Sequence, residues 1–218
     1  MDFVQISKTV LFQGTRPEDA EAMLKCLEAR EKQFQKDETI YYVGDRVSEL
    51  GLVLSGSVLI ENDDLWGNRS ILDRIGSGQI FAETYACVPG EKLLVTVTAA
   101  EKTEVLFLNV GKILRVCTNA CSFHARLIRN LLTLSARKNL NLSRRIFHTS
   151  AKSIRGRLLS YLSWQAVKQG GREFDIPFNR QQLADYLGVD RSAMSAELGK
   201  MKREGLIQVD RSHFRMEE

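Results

Sequence analysis

The segment from Arg180 to Ile207, RQQLADYLGVDRSAMSAELGKMKREGLI, limits the possible folds more than any other part of the chain. It reads as two short amphipathic helices joined by a tight turn. Asn179 is placed to cap the first helix, and Gln182 three residues on completes a capping box. Leu183, Ala184 and Leu187 form its apolar stripe, and Gly188 permits the left-handed exit that ends it. Asp190 caps the second helix, in which Met194, Leu198 and Met201 recur on one side. Lys200, Lys202 and Arg203 complement the dipole in its last turn, before Gly205. Small residues at Ala184 and Gly188 let the two helices cross closely. Arg191, Ser192, Ser195 and Ala196 are left on the outer face of the second helix. Taken alone, the pattern also fits an ordinary packed helix pair. The next residues tip the balance, because 206–209 and 213–216 read as two strands around Asp210-Arg211-Ser212, which makes a winged helix.

Charge points the same way. Residues 137–218 hold 16 Lys and Arg against 9 Asp and Glu, a balance of +7, whereas residues 1–136 carry −3. Excess cations in the half with the helix-turn-helix are the footprint of a surface that neutralises phosphates. The candidate DNA-binding set is Arg180, Gln181, Asp190, Arg191, Ser192, Ser195, Ala196 and Arg211. A basic surface with no such partner is the plainer alternative.

Upstream, the pattern changes. Pro17 to about Ala29 reads as a short helix, with Thr15 as a candidate cap. From about Glu31 to Asn109, short strands alternate with turn residues at regular intervals, which argues for an antiparallel barrel or jelly roll. Leu93 to Ala99 is expected to pair with Val105 to Leu108. From Val110 to Leu142 the pattern is one long helix in which Ile113, Val116, Ala120, Phe123, Leu127 and Leu134 recur at coiled-coil spacing. A second copy of that helix would cover the stripe and make a homodimer; the alternative is a helix lying across its own barrel. Leu140 to Phe147 is the expected hinge, followed by a helix from Ser150 to Lys168. The fold class expected is α+β. Residues 1–109 form an antiparallel β-roll (jelly-roll, cupin-like) sensor domain, 110–142 a dimerisation helix, and 143–218 a winged-helix DNA-binding domain.

A roll, a long helix and a winged helix in this order resemble the Crp–Fnr transcription regulators over nearly the whole chain. Arg180, Gln181, Leu183, Ala184, Gly188, Arg191 and Leu198 fall at family-like positions, as do Gly56 and the run Gly78-Gln79-Ile80-Phe81-Ala82-Glu83. The resemblance implies that Arg191 reads a guanine while Arg180 and Gln181 hold phosphates. It also implies an effector pocket in the roll beside Glu83, Leu93, Leu94 and Phe123. In cyclic-AMP-binding members an Arg-Ser pair grips the cyclic phosphate; Leu93 and Leu94 stand there instead, and leucine offers an anion no donor. The expected effector is therefore an unidentified small molecule other than cyclic AMP. Ser192 and Ala196 replace the Glu and Arg of those members, so the operator should differ too. Double-stranded DNA is the expected partner, with RNA polymerase if the protein activates transcription.

Other functions fare less well. Cys117, Cys121 and His124 share one helix face by spacing, which permits a redox or metal sensor, although thiols also pack well in helix seams. Cys26 and Cys87 read as core residues. Residues 1–25 lack the cysteine cluster of the iron–sulfur members. A cupin-type metalloenzyme would need histidines inside the barrel, and the first histidine is His124. No Ser/His/Asp arrangement is visible, so no enzymatic activity and no cofactor are expected. A signalling adaptor that has lost DNA binding is disfavoured by Arg180, Gln181 and Arg191. With no apolar run near the ~20 residues that span a bilayer and no signal-peptide pattern, a cytoplasmic location is expected, with no membrane partner.

Overall fold

The computed structural model describes residues 2–63, 69–115 and 122–217, with backbone alone for residues 63, 69, 70, 122 and 123. It divides into two compact units, Met1–Arg137 and Lys138–Glu218.

The first unit opens with α1 (Phe3–Ser7) and α2 (Pro17–Cys26). Asp2 caps α1, whereas α2 starts on Pro17 without the side-chain cap expected from Thr15. Eight strands follow: β1 (Arg30–Phe34), β2 (Thr39–Tyr41), β3 (Glu49–Ser55), β4 (Ser57–Asp63), β5 (Arg69–Gly76), β6 (Ile80–Phe81), β7 (Thr96–Ala99) and β8 (Thr103–Asn109). The short helix α3 (Glu83–Cys87) interrupts them. Two antiparallel sheets result, ordered β1-β8-β3-β6 and β2-β7-β4-β5. Phe34, Val53, Phe81, Val105 and Phe107 of the first sheet meet Val58, Ile75, Val97 and Ala99 of the second in one core. The alternate residues of the first sheet, Leu50, Leu52, Leu54, Leu106 and Leu108, pack on helices instead, in a core with Ile6, Met23 and Leu24. This two-sided burial explains why β3 is an almost unbroken apolar run.

The expected pairing of β7 with β8 does not occur: β7 lies between β2 and β4, and β8 between β1 and β3. The chain changes sheets at residues 100–102. The Thr103 hydroxyl pins that corner, 3.0 Å from the Ser57 carbonyl and 3.2 Å from its amide. Gly56, at φ +76, turns β3 into β4 directly against it, and a Cβ there would come within 2.5 Å of the Lys102 carbonyl.

The single helix expected over 110–142 is two. The first, α4 (Val110–Leu114), ends at Arg115 in extended conformation; the second, α5, runs Ser122–Thr149. The expected hinge at Leu140–Phe147 is helical, consistent with the lack of Pro or Gly anywhere in α5. Part of the apolar stripe is covered within the first unit. Ile113 and Leu127 are buried in the first unit's own core, and Leu134 packs against it. Those three seam candidates are therefore used within the chain. Val116 and Ala120 lie outside the described residues, as does the side chain of Phe123.

The second unit continues with α6 (Ile154–Gln169), which starts at the Ser153 cap rather than at Ser150. Then come β9 (Glu173–Asp175), α7 (Arg180–Leu187), α8 (Arg191–Arg203), β10 (Ile207–Asp210) and β11 (His213–Met216). The three strands pair in the order β10-β11-β9. Leu158, Leu162, Leu183, Leu187, Met194 and Phe214 are among the residues that join all these elements in one core.

Candidate nucleic-acid interface and sensor site

The helix-turn-helix forms by the local signals its sequence carries. Asn179 accepts the Gln182 amide at 2.9 Å, and Gln182 returns an acceptor to the Asn179 amide at 2.9 Å. Gly188 ends α7 at φ +62. Asp190 accepts the Ala193 amide at 2.8 Å, so its carboxylate serves as a cap. Met194, Leu198 and Met201 are buried, while Arg191, Ser192, Ser195 and Ala196 are exposed along the first two turns of α8. A helix that enters a major groove needs its polar, short and cationic side chains there.

Arginines that sequence reasoning did not single out hold this pair in place. From α6, Arg155 donates to Glu197 at 2.5 Å and bidentately to Glu204 at 2.7 and 2.9 Å, which ties α6 to the recognition helix. Arg157 donates to the Leu187 and Gly188 carbonyls at 3.0 and 2.9 Å. Arg145 donates to the Tyr186 and Asp185 carbonyls at 3.0 and 2.9 Å. The last carbonyls of α7, which lack partners within the helix, are thus met by two guanidinium groups of the favoured sign.

The start of α7 and the wing turn enclose a concavity of about 510 Å³, lined by residues that include Asn179, Arg180, Gln182, Arg211 and Ser212. Arg180 is half-buried with its guanidinium 5.3 Å from the centroid of the Phe214 ring, and burial lowers its pKa. The Gln181 amide donates to Asp185 at 2.8 Å. Arg211 forms the exposed tip of the β10–β11 hairpin at φ +51. Guanidinium groups and the backbone amides of a helix N-terminus are the donors that phosphate oxygens favour.

In β11, His213 is flanked by Glu173 at 3.0 Å and Asp175 at 3.2 Å, and the hydrogen bonds to these two carboxylates raise its pKa above the ordinary 6.5. Its folded-state pKa therefore exceeds the unfolded one. The stability it contributes is complete below about 6.5 and is lost as pH rises through the folded value. Both carboxylates are exposed and His213 is only half-buried, so the contribution is small. An NMR titration should give His213 a midpoint above 6.5 that falls in Glu173→Gln. A midpoint at or below the ordinary value in the unaltered protein would contradict the arrangement.

In the roll, Glu83 is buried at the start of α3, which follows Ala82 in the left-handed region at φ 60. Leu93 is buried and Leu94 is 71% exposed, so the two leucines do not line one surface. The Leu93 amide donates to the Asp45 carbonyl at 2.9 Å and is already committed. Tyr41, Phe81 and Phe107 interlock edge-to-face inside the roll, with Tyr41 5.9 Å from Phe107 and 6.2 Å from Phe81. Gly51 lies beneath Phe81, where a Cβ would collide with the ring.

Cys26 is exposed rather than in the core, with its sulfur 4.0 Å from Nε2 of the buried His124. Cys87 is half-buried, and burial pushes its thiol up. Cys117 and Cys121 lie outside the described residues. Among the described residues no group of three or more His, Cys, Asp or Glu is placed to hold a metal, and no helix is long and apolar enough to cross a membrane.

A two-sheet roll followed by a capped helix-turn-helix with a basic wing defines a ligand-sensor fold joined to a DNA-reading module. Residues 31–120 match the cyclic nucleotide-binding domain and residues 156–217 the Crp-like helix-turn-helix domain. The chain is 28% identical to the cyclic AMP receptor protein of Thermus thermophilus, over 91% of this chain and 88% of that one. The crystal structure of Thermus thermophilus catabolite activator protein superposes with a TM-score of 0.52 at 24% identity, covering 96% of this chain and 94% of that one. CprK complexed with OCPA superposes with a TM-score of 0.61 at 17% identity, covering 89% of this chain and 90% of that one. The chain belongs to the Crp–Fnr family of transcription regulators.

Proposed function

We propose that this regulator is a cytoplasmic homodimer that binds a near-palindromic DNA operator and responds to a small molecule other than cyclic AMP. The exposed face of α8, with Arg191 at its first position and arginines bracing its neighbours, carries the DNA-binding part. Arg191 reads a base edge, and Arg180, Gln181 and Arg211 hold phosphates. RNA polymerase is a further partner at promoters that the protein activates.

The effector reading rests on the roll. The Thermus thermophilus relative is named for cyclic AMP. For this chain to bind the same anion, residues 93 and 94 would have to supply donors. One is a buried leucine whose amide is already used, and the other is a leucine turned to solvent. A buried phosphate without charge-assisted donors is strongly disfavoured. The aromatic filling around Tyr41, Phe81 and Phe107 instead suits an apolar ligand. A ligand at 100 times its dissociation constant stabilises the folded state by about 2.7 kcal/mol. Millimolar cyclic AMP should leave both the melting temperature and the affinity for a duplex selected from a random pool unchanged. A melting shift at micromolar cyclic AMP would reverse the effector reading and leave the DNA-binding reading standing.

A further inference from the structure

Within the unit Lys138–Glu218 there is a second concavity, which shares Pro177 and Phe178 with the one beside Arg180 but is lined by none of the residues assigned to DNA. Its volume is about 300 Å³, and it is walled by the rings of Tyr161, Trp164, Phe178 and Tyr186. Phe178 lies 5.1 Å from Tyr186 and 6.0 Å from Tyr161, so the rings form a continuous surface. Trp164, Phe178 and Tyr186 are only half-buried and keep part of their apolar area in water. Gln165 donates to the Tyr161 hydroxyl at 2.7 Å and fixes one end of the wall. At the rim, the Lys168 ammonium and the Arg144 guanidinium lie 4.9 and 5.6 Å from the centroid of the Trp164 ring. Among the described residues that line the cavity, none carries a carboxylate. Behind the wall, His148 is fully buried with Nε2 unpartnered, its ring 5.5 Å from that of Trp164.

We infer that this cavity binds an aromatic carboxylate of one or two rings, at a site separate from the roll. Each part of the lining selects part of the ligand. Ring walls favour a planar aromatic group, which gains from offset or edge-to-face stacking beyond the area it buries. Among the described residues the structure shows no ion pair for either cation: Arg144 donates to the Asn141 side-chain oxygen at 3.0 Å, and both cations hold Trp164 only weakly at an exposed rim, so a charge-assisted bond to an anionic group would outcompete these neutral contacts. A neutral aromatic would leave them without a counter-charge, and an aliphatic acid would leave the rings unstacked. The volume lies at the small end of ligand pockets. The walls come from α5, α6, the segment before α7, and α7 itself. A bound acid would therefore hold the first helix of the helix-turn-helix against its neighbours.

The test is NMR of the full-length protein titrated with 2-naphthoate, with 2-naphthamide and hexanoate as controls. The sequence has two tryptophans, Trp66 and Trp164, so Trp66→Phe assigns the Trp164 indole N–H signal. That signal should move along a saturable curve with 2-naphthoate, and both controls should bind at least about tenfold more weakly. Arg144→Gln and Lys168→Gln should each weaken 2-naphthoate by about tenfold. The amide control uses the unaltered side chains, so the charge argument does not depend on how those variants fold. No Trp164 shift at millimolar 2-naphthoate, equal binding of acid and amide, or binding indifferent to both substitutions would each overturn the assignment.

Discussion

Arg191→Ala is expected to lose roughly 1–3 kcal/mol on the selected operator and to broaden the sequences accepted at one base pair of each half-site. Arg191 is the first residue of α8, held there by the Asp190 cap, and its side chain is exposed. The first residues of a recognition helix are the ones that meet base edges in the major groove, and a guanidinium pairs bidentately with guanine there. Arg180→Ala should behave differently. It should weaken every duplex by a similar factor and lower the slope of log affinity against log salt by about one. It should also lower the melting temperature, because the Arg180 guanidinium covers the Phe214 ring. Equilibrium binding to the operator and to scrambled duplex at several salt concentrations separates the two. Equal relaxation of specificity in both variants would contradict the division of roles.

The features legible in the sequence are those whose cause is local. Asn179, Gln182, Gly188 and Asp190 act within one turn of their own position, so the helix-turn-helix is readable from one short segment. Arg155 and Arg157 are different. Their partners in the helix-turn-helix lie 30 to 49 residues away along the chain, and no local pattern tells a tethering arginine from a solvated one. Strand β1, REKQF, has almost no apolar alternation, since four of its five residues are exposed on an edge strand paired only with β8. The adjacent leucines 93 and 94 look interchangeable in sequence. Their opposite burial depends on the Leu93 backbone pairing with Gly44 and Asp45, a tertiary fact.

The long helix shows the same limit most clearly. Heptad spacing says that a face is apolar; it does not say what covers it. Ile113 and Leu127 satisfy the pattern within the core of their own chain's first unit.

A homodimer of the kind proposed would then have another face of α5 to use. At about 100° per residue, Leu132, Ala136, Leu140 and Phe147 fall roughly opposite Leu127, Leu131 and Leu134. Leu132 and Phe147 are each 67% exposed, Leu140 is 54% exposed, and Ala136 is exposed as well. Large apolar side chains repeated along an exposed stripe mark a surface that gains by being covered, and a parallel copy of the same helix matches it in period. Leu132→Glu combined with Leu140→Glu should give a folded monomer by sedimentation. Its operator affinity should fall on the order of 10²-fold or more, because the second half-site no longer binds intramolecularly. Leu127→Glu should instead unfold the first unit, since it buries an unpaired carboxylate in that unit's core. If the double variant sediments as a dimer, the stripe on α5 is not the seam; if Leu127→Glu gives a folded monomer, the seam is the face expected from the heptad.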